Sequence, residues 1–254
     1  MKHTLIISSV FLAGCGGVAT ETAFKTPPLP ILGLEIGKTY AQPTGGANLV
    51  ANTVSTNPMT VKINSLSEIE VTRQGETIQM TSESGGILSI SSNGRTFLEI
   101  GKSLPDGPEM ENVLLFFLQD IRLGSFSWNN RHYMVDGLAA SSLPTAGAAT
   151  YSGAITGMSE DNFTFGGDIV LNADFGAGNM SGSLTQNTQT GTVLTFAPTP
   201  LVGAGFDGVL TDAADATLTG QINGKIYGVD QSEAAGTFTY SGVDFGAGLF
   251  TAKK

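Results

Sequence analysis

The chain has 254 residues, a formal net charge of −10 and only 13% charged residues. Such an acidic balance argues against nucleic acid or anionic lipid as a partner, because both would repel the protein. The length suffices for two domains of ordinary size, and 34 glycines with few helix-type periodicities favour short strands joined by turns.

Residues 1–14 have the features of a lipoprotein signal peptide. Lys2 supplies a positive start, and the apolar stretch that follows ends at Leu12 and is too short to span a bilayer. The sequence Leu12-Ala13-Gly14-Cys15 is similar to the lipobox of bacterial lipoproteins. We therefore expect removal of residues 1–14 and attachment of lipid, palmitate included, at Cys15. An ordinary secretory signal or a buried helix is the alternative.

Cys15 is the only cysteine of the chain. Once it carries lipid, no thiol is left for a disulfide, a metal site or a nucleophile. Gly16 follows it instead of an aspartate, which favours the outer membrane as the destination. Residues 15–46 hold four of the ten prolines, and proline lacks the backbone donor that helices and central strands require. This segment is predicted to be a flexible tether.

Residues 47–147 are predicted to form a small β-rich domain. Between Met59 and Ile100 apolar residues alternate with polar ones, and turn residues such as Asn93-Gly94 separate the runs. The apolar run at residues 112–117, continued at 121–128, fits either a buried strand pair or a short helix. Small residues at 139–149 indicate a linker, with a domain boundary near Gly147.

Residues 148–254 are predicted to form a closed barrel of eight antiparallel strands, a number that gives an interior filled by side chains. Closure also removes sheet edges that would recruit other chains. The eight candidate strands are residues 149–157, 163–173, 178–186, 191–196, 205–210, 216–227, 235–242 and 246–252. The fold class expected for the whole chain is therefore all-β, with a C-terminal eight-stranded antiparallel barrel preceded by a smaller β-rich domain.

Two short internal sequence repeats support one continuous sheet in the C-terminal half of the chain. Residues 173–178 resemble residues 243–248, each containing Asp-Phe-Gly-Ala-Gly, and Thr-Tyr-Ser-Gly occurs at 150–153 and 239–242. In each Asp-Phe-Gly repeat we expect the aspartate and the glycines to turn the chain and the phenylalanine to fill the end of the barrel.

Residues 149–254 resemble the β-barrel domain of the transferrin-binding protein B family of surface lipoproteins. The motifs that carry the resemblance are residues 150–153, 173–176, 178–184, 218–228 and 233–238, in the expected order. The resemblance implies a lipoprotein with an eight-stranded barrel beside a smaller β-rich "handle", displayed outside the cell to capture a host protein or haem. Transferrin-binding proteins have two handle-and-barrel lobes and this chain holds one. Their transferrin-contacting loops have no recognisable counterpart here, so transferrin itself is not the expected ligand.

Enzyme signatures are missing from the sequence: it has no Gly-x-Ser-x-Gly elbow, phosphate loop or His-Glu-x-x-His motif. We predict a protein that is not an enzyme and needs no metal or cofactor. His132 is the only histidine after processing, and His132-Tyr133 is the one place where haem ligands can be drawn. The alternative is a strand histidine beside a packed tyrosine near the domain junction.

An acidic loop in the barrel region offers a further candidate site. Asp207, Asp212 and Asp215 could bind calcium, but the EF-hand spacing is absent and a solvated loop is the expectation.

The sequence favours one function and leaves two others open. The favoured function is a lipoprotein on the outer-membrane surface that binds a protein or haem-type ligand in iron acquisition, with a TonB-dependent receptor as a further partner. The second is an envelope structural or adhesion lipoprotein without a nutrient ligand. The third, an outer-membrane barrel, is disfavoured because several candidate strands are shorter than the roughly 9 to 11 residues that a bilayer requires.

Overall fold

The computed structural model describes residues 35–50, 53–65, 68–73, 75–81, 89–92, 96–104, 106–120, 130–159, 164–187 and 191–254. These residues form two antiparallel β-sheets, as the all-β prediction requires. In these ranges no helix has both the length and the apolar character needed to cross a membrane. Cys15 and the predicted tether up to residue 34 lie outside the described residues.

The N-terminal sheet, called the handle from here on, has eight strands in the order β4-β3-β2-β1-β8-β7-β6-β5. Each strand is antiparallel to its neighbours. The apolar residues of the run at 112–117 lie in strand β7, so this run forms a strand and not the alternative short helix. Its continuation at 121–128 lies outside the described residues. The strands are β1 Thr39–Val50, β2 Thr53–Ile63, β3 Glu68–Arg73, β4 Glu76–Thr81, β5 Ser89–Ser92, β6 Thr96–Gly101, β7 Val113–Asp120 and β8 Asn130–Gly137.

The first strand begins inside the segment that the sequence assigned to the tether. Residues 39–46 belong to β1, so the tether boundary at residue 46 differs from the structure by eight residues. The β1–β2 register shifts between Gln42 and Gly46, which leaves Pro43 outside the ladder. A bulge tolerates proline because no ladder hydrogen bond is needed there. The proline and glycines of this strand therefore mark an irregularity within a sheet.

The C-terminal sheet closes into a barrel of eight strands. Each strand pairs with the next along the chain, and β16 pairs back with β9. All eight strands predicted from the sequence are present, with ends that differ by a few residues. They are β9 Ala148–Ser159, β10 Thr164–Asp174, β11 Asn179–Gln186, β12 Val193–Pro200, β13 Gly205–Asp212, β14 Thr219–Tyr227, β15 Glu233–Ser241 and β16 Phe245–Lys253.

The barrel interior is packed by alternate residues of each strand. In β10 the side chains of Phe165, Ile169 and Leu171 are buried and their neighbours are more exposed, because successive side chains point to opposite faces of a strand. Glycines make room for large rings: a Cβ at Gly224 would lie 2.5 Å from Phe206 Cζ. The interior is therefore a close-packed core.

The two Asp-Phe-Gly repeats have different structural roles. In the first, Asp174 ends β10 and accepts a hydrogen bond from Ala177 N at 2.9 Å, and the buried Phe175 packs into the barrel core as expected. In the second, Phe245 begins β16 and packs toward the handle. The expectation that this phenylalanine fills the barrel end is wrong, because it sits one residue out of phase with the inward-facing positions of β16.

The handle packs on the outside of the barrel. Leu115 and Tyr133 of the handle share one apolar cluster with Ala235 and Leu249 of the barrel. Strand β15 is consequently buried on both faces, from Glu233 to the residue before its last. A second apolar cluster, on the other face of the handle sheet, forms the handle's own core.

Candidate functional site

A buried carboxylate joins the handle to the barrel. Glu233 at the start of β15 is 1% exposed, and its Oε1 and Oε2 accept hydrogen bonds from Glu111 N at 2.7 Å and Asn112 N at 2.8 Å. Lys253 Nζ lies 3.7 Å from Oε1. The two N–H groups and the ammonium satisfy the carboxylate, which fixes the chain entering β7 against β15.

The predicted linker at 139–149 is bound along the barrel. Ala140 N donates to Ile226 O at 3.0 Å, and Gly228 N donates to Leu138 O at 2.9 Å. Further along, Phe175 N donates to Gly147 O at 2.9 Å. The connection between the two sheets is thus held by backbone hydrogen bonds at its beginning and at its end.

A cavity of about 200 Å³ lies between the handle and barrel strands β9, β10 and β16. Exposed Ser103 and Thr164 form its rim, so that it opens to solvent. We call it the junction cavity and define it by the side chains of Leu104, Leu115, Phe117, Arg131, Tyr133 and Leu249.

Arg131 is the one charged residue among the described residues that line the junction cavity. Its guanidinium Cζ lies 5.0 Å from the centroid of the Phe117 ring, within the range of a cation–π contact. Its Nε is buried and has no hydrogen-bond partner among the described residues. Partial burial lowers the pKa of Arg131, because it disfavours the charged form. A cation with an unused donor therefore faces an apolar space.

The two residues predicted as haem ligands do not converge. Tyr133 lines the junction cavity, whereas His132, the residue next to it in β8, points to the opposite face of the sheet and is fully buried there. One iron cannot reach both side chains from a single face. Burial also raises the pKa of Tyr133, which disfavours the phenolate that binds ferric iron. A haem role for either residue alone stays a prediction.

The three aspartates weighed as calcium ligands are not gathered into one site. Asp212 Oδ1 accepts from Ala214 N at 2.7 Å, and Asp215 Oδ1 accepts from Thr217 N at 2.9 Å and Thr217 Oγ1 at 2.7 Å. These bonds are turn contacts in which each aspartate holds its own loop. Asp207 lies near the opposite end of β13. The described part of the chain contains no group of three His, Cys, Asp or Glu residues that could hold a metal.

The sequence drew attention to His132-Tyr133 and missed Arg131. The signal was the alternation itself, since residues 131 and 133 share one face of a strand. The barrel residues that complete the cavity, such as Leu249, follow from the docking of the two sheets, which no local pattern specifies.

The strand directions give the molecule two distinct ends. At the first, the tether end, β1 begins beside the last residues of β8, where Ala41 N donates to Asp136 Oδ2 at 2.9 Å. The β14–β15 turn and the end of β16 lie there too, because Gly228 bonds to Leu138 and Glu233 pairs with Lys253. The opposite end, the far end, holds the barrel loops 213–218 and 242–244.

Comparisons with known proteins support the same architecture. A family model described as "C-lobe and N-lobe beta barrels of Tf-binding protein B" matches residues 143–254. Intact Ap-TbpB superposes with a TM-score of 0.55 at 16% identity over 84% of this chain and 46% of that protein. No curated protein sequence matches.

Two further transferrin-binding proteins give similar values. TbpB from serogroup B Neisseria meningitidis has a TM-score of 0.52 at 14% identity over 83% of this chain and 43% of that protein. A TbpB double mutant from Haemophilus parasuis Hp5 has a TM-score of 0.53 at 18% identity, over 84% of this chain and 45% of that protein. These identities establish the fold alone, and this chain spans less than half the length of each of these proteins.

The matched family consists of ligand-binding proteins without enzymatic activity. A sequence without catalytic motifs agrees with this. Residues 143–254 are thus similar to the β-barrel domain of transferrin-binding protein B, and they are joined to a handle sheet in a single handle-and-barrel unit.

Proposed function

We propose that this protein is a lipoprotein, anchored at Cys15 to the outer membrane and displayed on the cell surface, that binds a protein or haem-type ligand in iron acquisition. The observation that carries the proposal is the handle sheet packed on a barrel of this family, in a chain whose only cysteine ends a lipobox. The related solved structures are transferrin-binding proteins by their descriptions. Their ligand is not assigned to this chain, which lacks a recognisable counterpart of the transferrin-contacting loops.

The two ends of the molecule suggest how it would stand on the membrane. The chain enters the fold at the tether end, near Glu35 and Thr39. Residues 16–34 separate that point from Cys15 and reach at most about 65 Å when fully extended. An anchor at Cys15 would therefore hold the tether end toward the membrane and turn the far end outward. The far end is where we expect the ligand.

Charge complementarity narrows the class of ligand. Residues 148–254 contain ten acidic and three basic residues. All three lysines lie at the tether end, in Lys225 and in Lys253-Lys254, whereas the described barrel loops of the far end, with the end of β13 beside them, contain Asp212, Asp215 and Asp244 and no lysine or arginine. An outward acidic surface accelerates association with a basic partner. We therefore expect a ligand that presents a basic surface.

The outward surface of the barrel disfavours insertion into the membrane. Exposed positions of β10 and β13 include Asp168, Asn172 and Asp207, whereas the interior is apolar. A membrane-spanning barrel has the opposite arrangement, with an apolar band facing outward. Replacing Cys15 with serine should thus release the protein into the soluble fraction, and a variant still held in the membrane would contradict the proposed anchor.

The ligand hypothesis is tested on intact cells and with the purified protein. Surface protease treatment of living cells should remove the wild-type protein, and metabolic labelling with palmitate should require Cys15. Binding would be measured against transferrin, haemoglobin and haemin, and a deletion strain would be grown with each as its only iron source. The absence of both binding and a growth defect would refute the iron role. A deletion that changes adhesion and leaves growth intact would support the structural alternative.

The far-end surface has its own charge test. Asp212→Asn with Asp215→Asn removes two charges and keeps the oxygen acceptors of both turns. Association with the ligand should slow, and the difference should shrink as salt is added. Asp174→Asn with Asp230→Asn at the tether end is the matched control. Equal slowing by both pairs would place the ligand elsewhere.

A further inference from the structure

The junction cavity opens near the far end, since Arg131 and Thr164 lie at the beginnings of β8 and β10, and the proposed function leaves it unused. We propose that it binds a small apolar carboxylate, an aromatic acid or a medium-chain fatty acid, whose carboxylate pairs with Arg131 and whose apolar part fills the space beside Leu115 and Leu249. The protein would then carry a small-molecule site in addition to its surface for a larger ligand.

The charge of Arg131 is the first argument. The described residues offer it no carboxylate, and its Nε is buried without a partner. Tyr133 is the one neighbour with an electrostatic effect on this guanidinium, and it is neutral at ordinary pH. Arg131 is partly buried, and a charge held partly out of water is stabilised by a partner of opposite charge. A ligand carboxylate would complete the pair, since the guanidinium fork matches two carboxylate oxygens.

The walls of the cavity are the second argument. Leu104, Leu115 and Leu249 line it, and the ring of Phe117 packs on both Arg131 and Tyr133. One cation among apolar side chains suits a ligand with a single negative charge. A phosphate ester carries nearly two negative charges, which the single guanidinium would leave partly unbalanced.

The size of the cavity sets the size of the ligand. An engineered cavity of about 150 Å³ lined by Leu, Ile and Phe is large enough for benzene. The junction cavity is about 200 Å³ and has an exposed rim at Ser103 and Thr164. It therefore suits one aromatic ring or a short alkyl chain, which could enter from solvent.

The test uses the whole chain with Cys15→Ser, so that no detergent competes for the cavity. Benzoate and octanoate would be titrated by calorimetry, with benzyl alcohol and octanol as neutral partners of the same shape. We expect both acids to saturate a single site and the alcohols to bind at least about tenfold more weakly. Equal binding of acids and alcohols would overturn the pairing with Arg131, and no saturation up to about 10 mM would overturn the site.

Two substitutions of equal charge change separate the site from a general charge effect. Arg131→Gln should weaken binding of the acids about tenfold to a hundredfold and leave that of the alcohols almost unchanged. Lys225→Gln, on the barrel surface outside the cavity, should leave both unchanged. Equal losses from the two substitutions would refute the proposal.

A variant at the rim keeps the proposal testable if Arg131→Gln does not fold. Ser103→Trp blocks the exposed mouth and leaves the guanidinium in place, so it should abolish binding of the acids. Circular dichroism checks that each variant is folded. Binding that survives in a folded Ser103→Trp protein would exclude the cavity. None of these measurements involves the larger ligand, so their outcome is independent of the proposed iron role.

Discussion

Replacing Glu233 with alanine removes the carboxylate that joins the handle to the barrel. Its two oxygens accept hydrogen bonds from Glu111 N and Asn112 N, and the side chain is 1% exposed. A hydrogen bond to a charged group contributes about 1.5 to 3 kcal/mol. Because Glu111 is exposed, water can replace part of what is lost. We expect the free energy of unfolding to fall by about 2 to 4 kcal/mol.

Two further variants divide this loss between hydrogen bonding and charge pairing. Glu233→Gln keeps one acceptor and should cost about half as much as Glu233→Ala. Lys253→Met removes only the ammonium, whose side chain is 35% exposed and lies 3.7 Å away, and should cost less than about 1 kcal/mol. The hydrogen bonds to the backbone should therefore dominate.

Urea unfolding of the Cys15→Ser chain measures these differences, and thermal unfolding provides a second readout. For a chain of this size the alanine variant should lose about 4 to 16 °C in Tm. A Glu233→Ala protein as stable as its parent would refute the role of this carboxylate. A Lys253→Met protein that loses as much as Glu233→Ala would show instead that the ion pair carries the stability.

Three further predictions concern the barrel. Phe238→Ala, which empties a fully buried position, should cost about 3 to 5 kcal/mol in urea unfolding, whereas Val209→Ala on the exposed surface should cost less than about 0.5 kcal/mol. Gly224→Val should destabilise the barrel by about 1 to 3 kcal/mol because its Cβ would strike aromatic rings, and an unchanged urea midpoint would contradict that packing. Hydrogen bonds from Thr217 lower the pKa of Asp215, so its stabilising effect should be present above the unfolded pKa of 3.8 and be lost as the pH falls through the folded value. In Thr217→Val, which removes the hydroxyl donor and keeps the backbone N–H, an NMR titration should show that pKa rising toward 3.8, and an unchanged midpoint would exclude the hydroxyl hydrogen bond as a cause.

The barrel was largely predictable from the sequence because strand periodicity is a local property. A strand was predicted at residues 163–173, close to the observed bounds of β10, Thr164–Asp174. Turn residues separated the eight strands, and their number favoured closure. The first Asp-Phe-Gly repeat behaved as expected for the same reason, since its turn is built from neighbouring residues.

The junction was not predictable, because it depends on contacts between distant parts of the chain. Strand β1 pairs with β8, which brings Ala47 opposite Tyr133, and no local pattern specifies that partner. The same applies to Phe245, which lies in the same Asp-Phe-Gly motif as Phe175 but is directed toward the handle by its position in β16. The environment of Phe245 depends on the handle sheet, which covers the outward face of β16.

The sequence by itself determined the all-β class and the eight barrel strands. It also predicts the lipid anchor at Cys15. Only the tertiary structure decided that β15 is buried on both sides, that Glu233 accepts hydrogen bonds from the chain before β7, and that Arg131 faces a cavity rather than a carboxylate. The physical reason is that side-chain alternation is set by neighbouring residues, whereas the partner of an outward-facing residue is set by how two finished sheets pack together.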